Sequence, residues 1–259
     1  MRLKNRILFL IVLFCLSSCK NLQIRDKNNQ ISIIKDSLQS ENKYFEKIFI
    51  EDLILHSKNN KVVDMFNSEM LGFLVNSSNI KNPRKRLEYK KNILLNCINT
   101  NNYWCEDAVM EQFKILYKTK KYISIEYKYN ALRFSNEYYK YATFDLQTGK
   151  KILGKQILKN PNEILVKANN RVILTLTPTK DTSEEDAITM KELLASFEKY
   201  ALQDLDNFYF DYDEKGKIKI CFYFQGFDKP YQHLYSGTHI CYDINLVNFT
   251  NNEAIFLYP

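Results

Sequence analysis

Glycine is scarce. The six present, Gly72, Gly149, Gly154, Gly216, Gly226 and Gly237, never fall at G-x-G-x-x-G or P-loop spacing, so a dinucleotide or nucleotide-triphosphate fold has no phosphate cradle to build from. No serine stands in a G-x-S-x-G elbow. Histidine is limited to His56, His233 and His239, none at helical H-x-x-x-H spacing, and no two cysteines form a C-x-x-C pair, which removes the common zinc signatures. Asp211, Asp213 and Gly216 begin like a calcium loop, but Phe222 occupies the twelfth position where a glutamate is needed, so a plain hairpin turn is expected. No stretch after the N-terminus approaches eighteen consecutive apolar residues. Prolines are also few, at five, while aromatic residues make up 14% of the chain. That combination describes a packed, tyrosine-rich protein rather than a disordered or fibrous one.

The N-terminus has its own pattern. Arg2, Lys4 and Arg6 precede the apolar run Ile7 to Leu16, the charged and hydrophobic regions of an export signal. Ten apolar residues fall short of the roughly twenty a spanning helix requires. The run ends in Leu16-Ser17-Ser18-Cys19, which resembles a bacterial lipobox. Residues 1–18 are therefore expected to be removed, leaving Cys19 as the lipid-modified N-terminus and the membrane as a partner through that lipid. This implies the bacterial cell envelope, at the outer membrane in a cell with two membranes, facing the periplasm or the surface. Loss of the three basic residues takes the formal charge from +7 to +4. So mild a surplus makes no case for nucleic acid, and the basic cluster Lys81 to Lys91 reads as a solvated helix face.

Cys97, Cys105, Cys221 and Cys241 remain in an oxidising compartment, an even number that implies two disulfides. Three connectivities are possible. Cys97–Cys105 with Cys221–Cys241 is favoured because each bridge closes a local loop.

Residues 19–45 are polar and read as a tether, although Ile31, Ile34 and Leu38 have helical spacing and predict a helix docked on the body. Residues 46–259 form the globular region. Ile48 to Leu55 predicts a strand, Arg84 to Cys97 a helix, and Asp107 to Tyr117 a second helix with Val109, Phe113 and Leu116 on one face. From Tyr122 to Leu132 the period becomes two, with Ile123, Ile125, Tyr127 and Tyr129 alternating with polar positions. A strand over Tyr138 to Leu146 turns at Gln147-Thr148-Gly149-Lys150 into another over Lys151 to Ile157. Asn160-Pro161-Asn162-Glu163 starts a helix with Leu165, Ala168, Val172 and Leu176 on its face, although Val172 to Thr177 is also β-branched enough for a strand. A helix over Ala187 to Leu202 follows, then strands over Phe208 to Tyr212, Lys217 to Phe224 and Thr238 to Ile244. The fold class is α+β, antiparallel sheet with packed helices.

Tyr122 to Tyr127, Ala142 to Lys150 with its F-D-x-x-T-G-K turn, Asn207 to Phe210, Ile218 to Phe224 and Tyr235-Ser236-Gly237 together resemble domains of the DUF3298 type with the companion DUF4163. Arg133 to Glu137 departs from the Gly-Gly-Ala-His-like turn many members carry there. The resemblance implies a cell-envelope module without chemistry of its own. Relatives bind lysozyme in one branch and accompany a polysaccharide deacetylase domain in another.

No residue draws a catalytic or metal-binding role, and no cofactor is implied. Asp204 and Asp206 are available as a carboxylate pair, but acids near a turn are commonplace. The expected activity is binding, to lysozyme or to an envelope glycan such as peptidoglycan. Tyr231, His233, Tyr235 and His239 are the candidate contact residues, beside an acidic run of five carboxylates from Asp204 to Glu214. Tyr223 and Tyr242 are further aromatic candidates. The alternative is a lipid-anchored glycan hydrolase or deacetylase, for which His233, His239 and Asp243 are the one available centre.

Overall fold

The structure is a computed structural model that describes residues 29–39, 47–75, 79–100, 108–131, 137–227, 231 and 233–246. The signal segment, Cys19, Cys105 and the departing turn at 133–136 lie outside the described residues. The α+β expectation holds, with five helices and nine antiparallel strands among the described residues. No helix among them is long and apolar enough to cross a membrane.

Strands β1 (Gln30–Gln39) and β2 (Lys47–His56) pair as a two-stranded ribbon. The helix expected within the tether is thus corrected, and residues 30–39 belong to the body. Ile31 and Leu38 are both buried, yet seven residues apart on a strand they face opposite ways. Ile31 joins a core with Leu53 and Leu55, whereas Leu38 joins another with Ile48, Ile50 and Leu94. A ribbon buried on both faces at different points along its length produced spacing that mimics a helix.

Helix α1 (Asn60–Phe73) begins where the Asn59 side chain accepts a bond from the Lys61 amide at 3.1 Å. It buries Val62, Phe66, Met70 and Phe73. These pack on a four-stranded meander of β3 (Val109–Lys118), β4 (Tyr122–Ala131), β5 (Tyr138–Asp145) and β6 (Lys151–Ile152). Phe66 meets Phe144 edge-on at 5.0 Å, and Ile123, Ile125 and Tyr127 are fully buried. The β5–β6 turn is tied by Asp145, whose carboxylate accepts from the Gln147 amide at 2.7 Å. Gly149 there has φ +78°, and a Cβ on it would lie 2.3 Å from the Val62 carbonyl, so the turn approaches α1 too closely for any other residue.

The second helix expected over 107–117 is β3 instead. Val109, Glu111 and Phe113 are all buried on alternate positions, so the true period is two. A carboxylate at a core position hid that period and left Val109 and Phe113 looking like helical neighbours. The strand expected over 151–157 stops at Ile152 and gives way to the short helix α3 (Gly154–Ile157).

Helix α2 (Pro83–Asn99) covers the opposite side of the ribbon and brings a buried charge with it. Arg86 grips Asp52 with two bonds of 2.6 Å, from Nε and Nη2, and its Nη1 donates to the Ile80 carbonyl at 3.1 Å. Lys90 lies 2.5 Å from Glu111 and 3.5 Å from Asp52. The Tyr127 hydroxyl donates to Glu111. Glu51, on the other ribbon face, accepts from the Phe113 amide at 2.7 Å and joins β2 to β3.

Helices α4 (Pro161–Thr175) and α5 (Glu184–Ser196) pack around the third sheet, β7 (Phe208–Tyr212), β8 (Ile218–Gln225) and β9 (Gly237–Asp243). Ser183 starts α5 earlier than expected by accepting from the Asp186 amide at 3.1 Å. The sheets meet where the outer edge of β7 lies on β4 and β5. Ser124 accepts from the Phe210 amide at 2.9 Å, and Thr143 bonds to Ser124 at 2.8 Å. Thr143 also donates to the Phe208 carbonyl at 3.4 Å, so two buried hydroxyls satisfy backbone groups on the edge of β7 that has no ladder partner among the described residues.

Candidate functional site

Among the described residues β6 pairs with Thr143 and Phe144, and no strand pairs with the Tyr139 to Ala142 part of that edge of β5. A cleft of about 280 Å³ opens along it, between that edge, the end of α1, and the segment 200–207 leading to β7. Asn207 spans the gap. Its Oδ1 accepts from the Tyr141 amide at 2.6 Å, while its carbonyl accepts from the Tyr223 amide at 2.9 Å. One residue thus satisfies both sheets and holds the floor of the cleft.

Tyrosines form one wall. Tyr141 stacks on Tyr209 with centroids 4.4 Å apart and meets Tyr223 edge-on at 5.3 Å. Burial raises the phenol of Tyr141, and it pushes Tyr209 and Tyr223 up to about 12, so these hydroxyls stay protonated. Tyr200 donates to the Gln225 carbonyl at 2.5 Å. Lys140 and Lys151 stand on the opposite side beside Phe73. Burial lowers both ammonium groups, and for Lys140 the neighbouring Lys151 charge adds to the effect.

The expected contact residues are divided by the structure. Tyr231 and His233 are exposed. Tyr235 is 5% exposed and packs with Val172, Leu176 and Leu193, so it is a core residue and offers no ring to a partner. His239 lies on the sheet face, 3.1 Å from the Tyr209 hydroxyl through Nδ1 and 4.7 Å from the Tyr223 ring. Desolvation by these rings, and then the Lys219 charge, lowers its pKa and keeps it neutral. Tyr242 reaches the core beneath β9, where Lys167 caps its ring at 4.7 Å.

The alternative centre is not assembled. His239 and Asp243 are four residues apart on one strand, about 13 Å. Asp243 instead accepts from the Asn245 amide at 3.0 Å. Among the described residues no three histidine, cysteine, aspartate or glutamate side chains gather to hold a metal ion. The acidic run is likewise occupied. Asp204 accepts from the Ala201 amide at 2.6 Å, Asp206 lies 3.6 Å from Lys155, Asp211 lies 3.7 Å from Lys219, and Asp213 accepts from the Lys217 amide at 2.7 Å. Asp213 serves the β7–β8 hairpin turn, where Gly216 has φ +74°.

Cys221 and Cys241 are directly opposite on β8 and β9, with Cα atoms 4.1 Å apart, and form a disulfide. Cys97 is also disulfide-bonded, and its expected partner Cys105 lies outside the described residues. No protein-family model matches this chain, and no curated protein is significantly similar to it.

Lys140, Lys151 and Gln203 drew no attention in the sequence, because a lysine on a strand and a glutamine in a loop carry no spacing signal. Asn207 and Tyr223 lay within patterned segments, and their role depends on where β5 ends up. A further pair, Ser32 Oγ and His56 Nε2 at 2.7 Å, stands at an exposed point of the ribbon and does not line this cleft.

Proposed function

We propose that this protein is a binding module of the bacterial cell envelope, tethered through a lipid on Cys19, that takes an envelope glycan in the cleft between β5 and β8. The observation that carries the reading is the lining itself. The half-buried ring of Tyr200, with the edges of the otherwise buried Tyr141 and Tyr223, stands with the amides of Gln203, Asn207 and Gln225 around an open groove. Sugar rings offer apolar faces to aromatic side chains and hydroxyls to planar amides, so this mixture suits a saccharide. The resemblance to envelope modules of the DUF3298 type supports the same setting. Lysozyme is the competing partner, and four of the five carboxylates expected to attract it, Asp204, Asp206, Asp211 and Asp213, are engaged within the chain.

Calorimetric titration of the mature chain with soluble peptidoglycan fragments and with lysozyme tests this. Binding of the fragments, weakened about tenfold or more by Tyr200→Ala, is the expected result. Lysozyme binding without glycan binding would replace the reading. The anchor is tested separately by labelled fatty acid, which Cys19→Ala should fail to incorporate.

A further inference from the structure

Two partly buried ammonium groups stand in the cleft, with the Asp206 and Glu69 charges close enough to favour that of Lys151 and the Glu111 charge that of Lys140. Lys140 Nζ donates to the Phe73 carbonyl at 3.2 Å, at the C-terminal end of α1, and Lys151 Nζ lies 5.7 Å from the Phe73 ring centroid. Among the described residues neither forms an ion pair within 4.0 Å, although eight other lysines and arginines do. The acids lining the same cleft, Asp204 and Asp206, are already held by the Ala201 amide and by Lys155. Capping the negative end of α1 accounts for one donor of Lys140 and for none of Lys151. Asn207 adds to the bias, because Tyr141 occupies its Oδ1 and the group left to meet a ligand is the Nδ2 donor. The cleft therefore presents two cations without a direct ion pair and an amide donor next to the Tyr200 ring.

We propose that the cleft selects an acidic glycan, a saccharide whose carboxylate sits between Lys140 and Lys151 while its ring lies against Tyr200. This rests on the glycan reading above and specifies its charge. An anion there removes the repulsion between two half-buried cations and gains charge-assisted hydrogen bonds in a site partly screened from water. The sugar ring supplies the contact that a free anion lacks.

Titration of the mature chain compares an oligogalacturonate with a neutral N-acetylglucosamine oligomer of equal length and with inorganic phosphate. The acidic oligomer should bind about tenfold tighter than the neutral one, the worth of one charge-assisted hydrogen bond. Lys151→Gln should abolish that advantage and Lys151→Arg should retain it, with melting temperature recorded for each to establish folding. Equal affinity for the two oligomers, or an acidic preference unchanged in Lys151→Gln, would overturn the charge assignment and leave the glycan reading standing. Binding of phosphate with neither oligomer would overturn both.

Discussion

Replacing Arg86 by methionine should be among the most damaging single changes in the protein. The Arg86 and Asp52 side chains are fully buried, and the guanidinium makes two bonds of 2.6 Å to that carboxylate. Removing the cation leaves Asp52 in the interior with the Leu53 amide at 2.7 Å and one cation, Lys90, 3.5 Å away and already committed to Glu111 at 2.5 Å. Breaking a buried pair from one side costs about 3–5 kcal/mol because the remaining charge is uncompensated. The Ile80 carbonyl also loses its donor. Against a total stability of roughly 5–15 kcal/mol, the loss is about a fifth or more. The double variant Arg86→Met with Asp52→Leu should recover most of it, since both charges leave together and Lys90 with Glu111 remains balanced. Urea unfolding of wild type, both single variants and the double variant gives the coupling energy directly. A single-variant loss below about 1 kcal/mol, or a double variant as poor as the sum of the singles, would refute the reasoning.

Tyr235→Ala should lower stability by about 3–5 kcal/mol as a core truncation, while Tyr231→Ala should stay within about 0.5 kcal/mol, both read from thermal unfolding. Replacing Cys221 and Cys241 together by alanine reopens a span of 20 residues and should cost about 3.3 kcal/mol by chain entropy, measured by denaturant midpoint. The Lys91 hydrogen bond at 2.9 Å holds the Asp36 carboxyl below its ordinary value, so its stabilising effect is present above the usual carboxylate range and lost as pH falls through the folded value. Asp36→Asn should therefore cost under about 1 kcal/mol near neutral pH, given its exposure, and nothing in strong acid, as paired unfolding curves would record.

Local signals carried the elements whose neighbours they did not need. The two-residue period of β4, the Asp145 turn with Gly149, the proline-started α4 and the three closing strands are each written in consecutive residues, because backbone conformation and one buried face suffice to specify them. The α+β class follows from those runs alone. Elements with a polar core residue or two buried faces were illegible. Glu111 looks like a surface acid until Lys90 and Tyr127 are beside it, and β1 looks helical until α2 is on one side and the meander on the other. Tyr235 and Tyr231 are the same residue type in the same loop, and only the approach of α4 and α5 makes one core and the other surface. The cleft is a product of topology in the same sense. It exists because β6 is two residues long and leaves an edge of β5 open, and because Asn207 arrives there from 66 residues away to accept the Tyr141 amide. Sequence fixes what each residue can do locally, whereas burial and charge pairing depend on which distant segments arrive, and that is decided by packing.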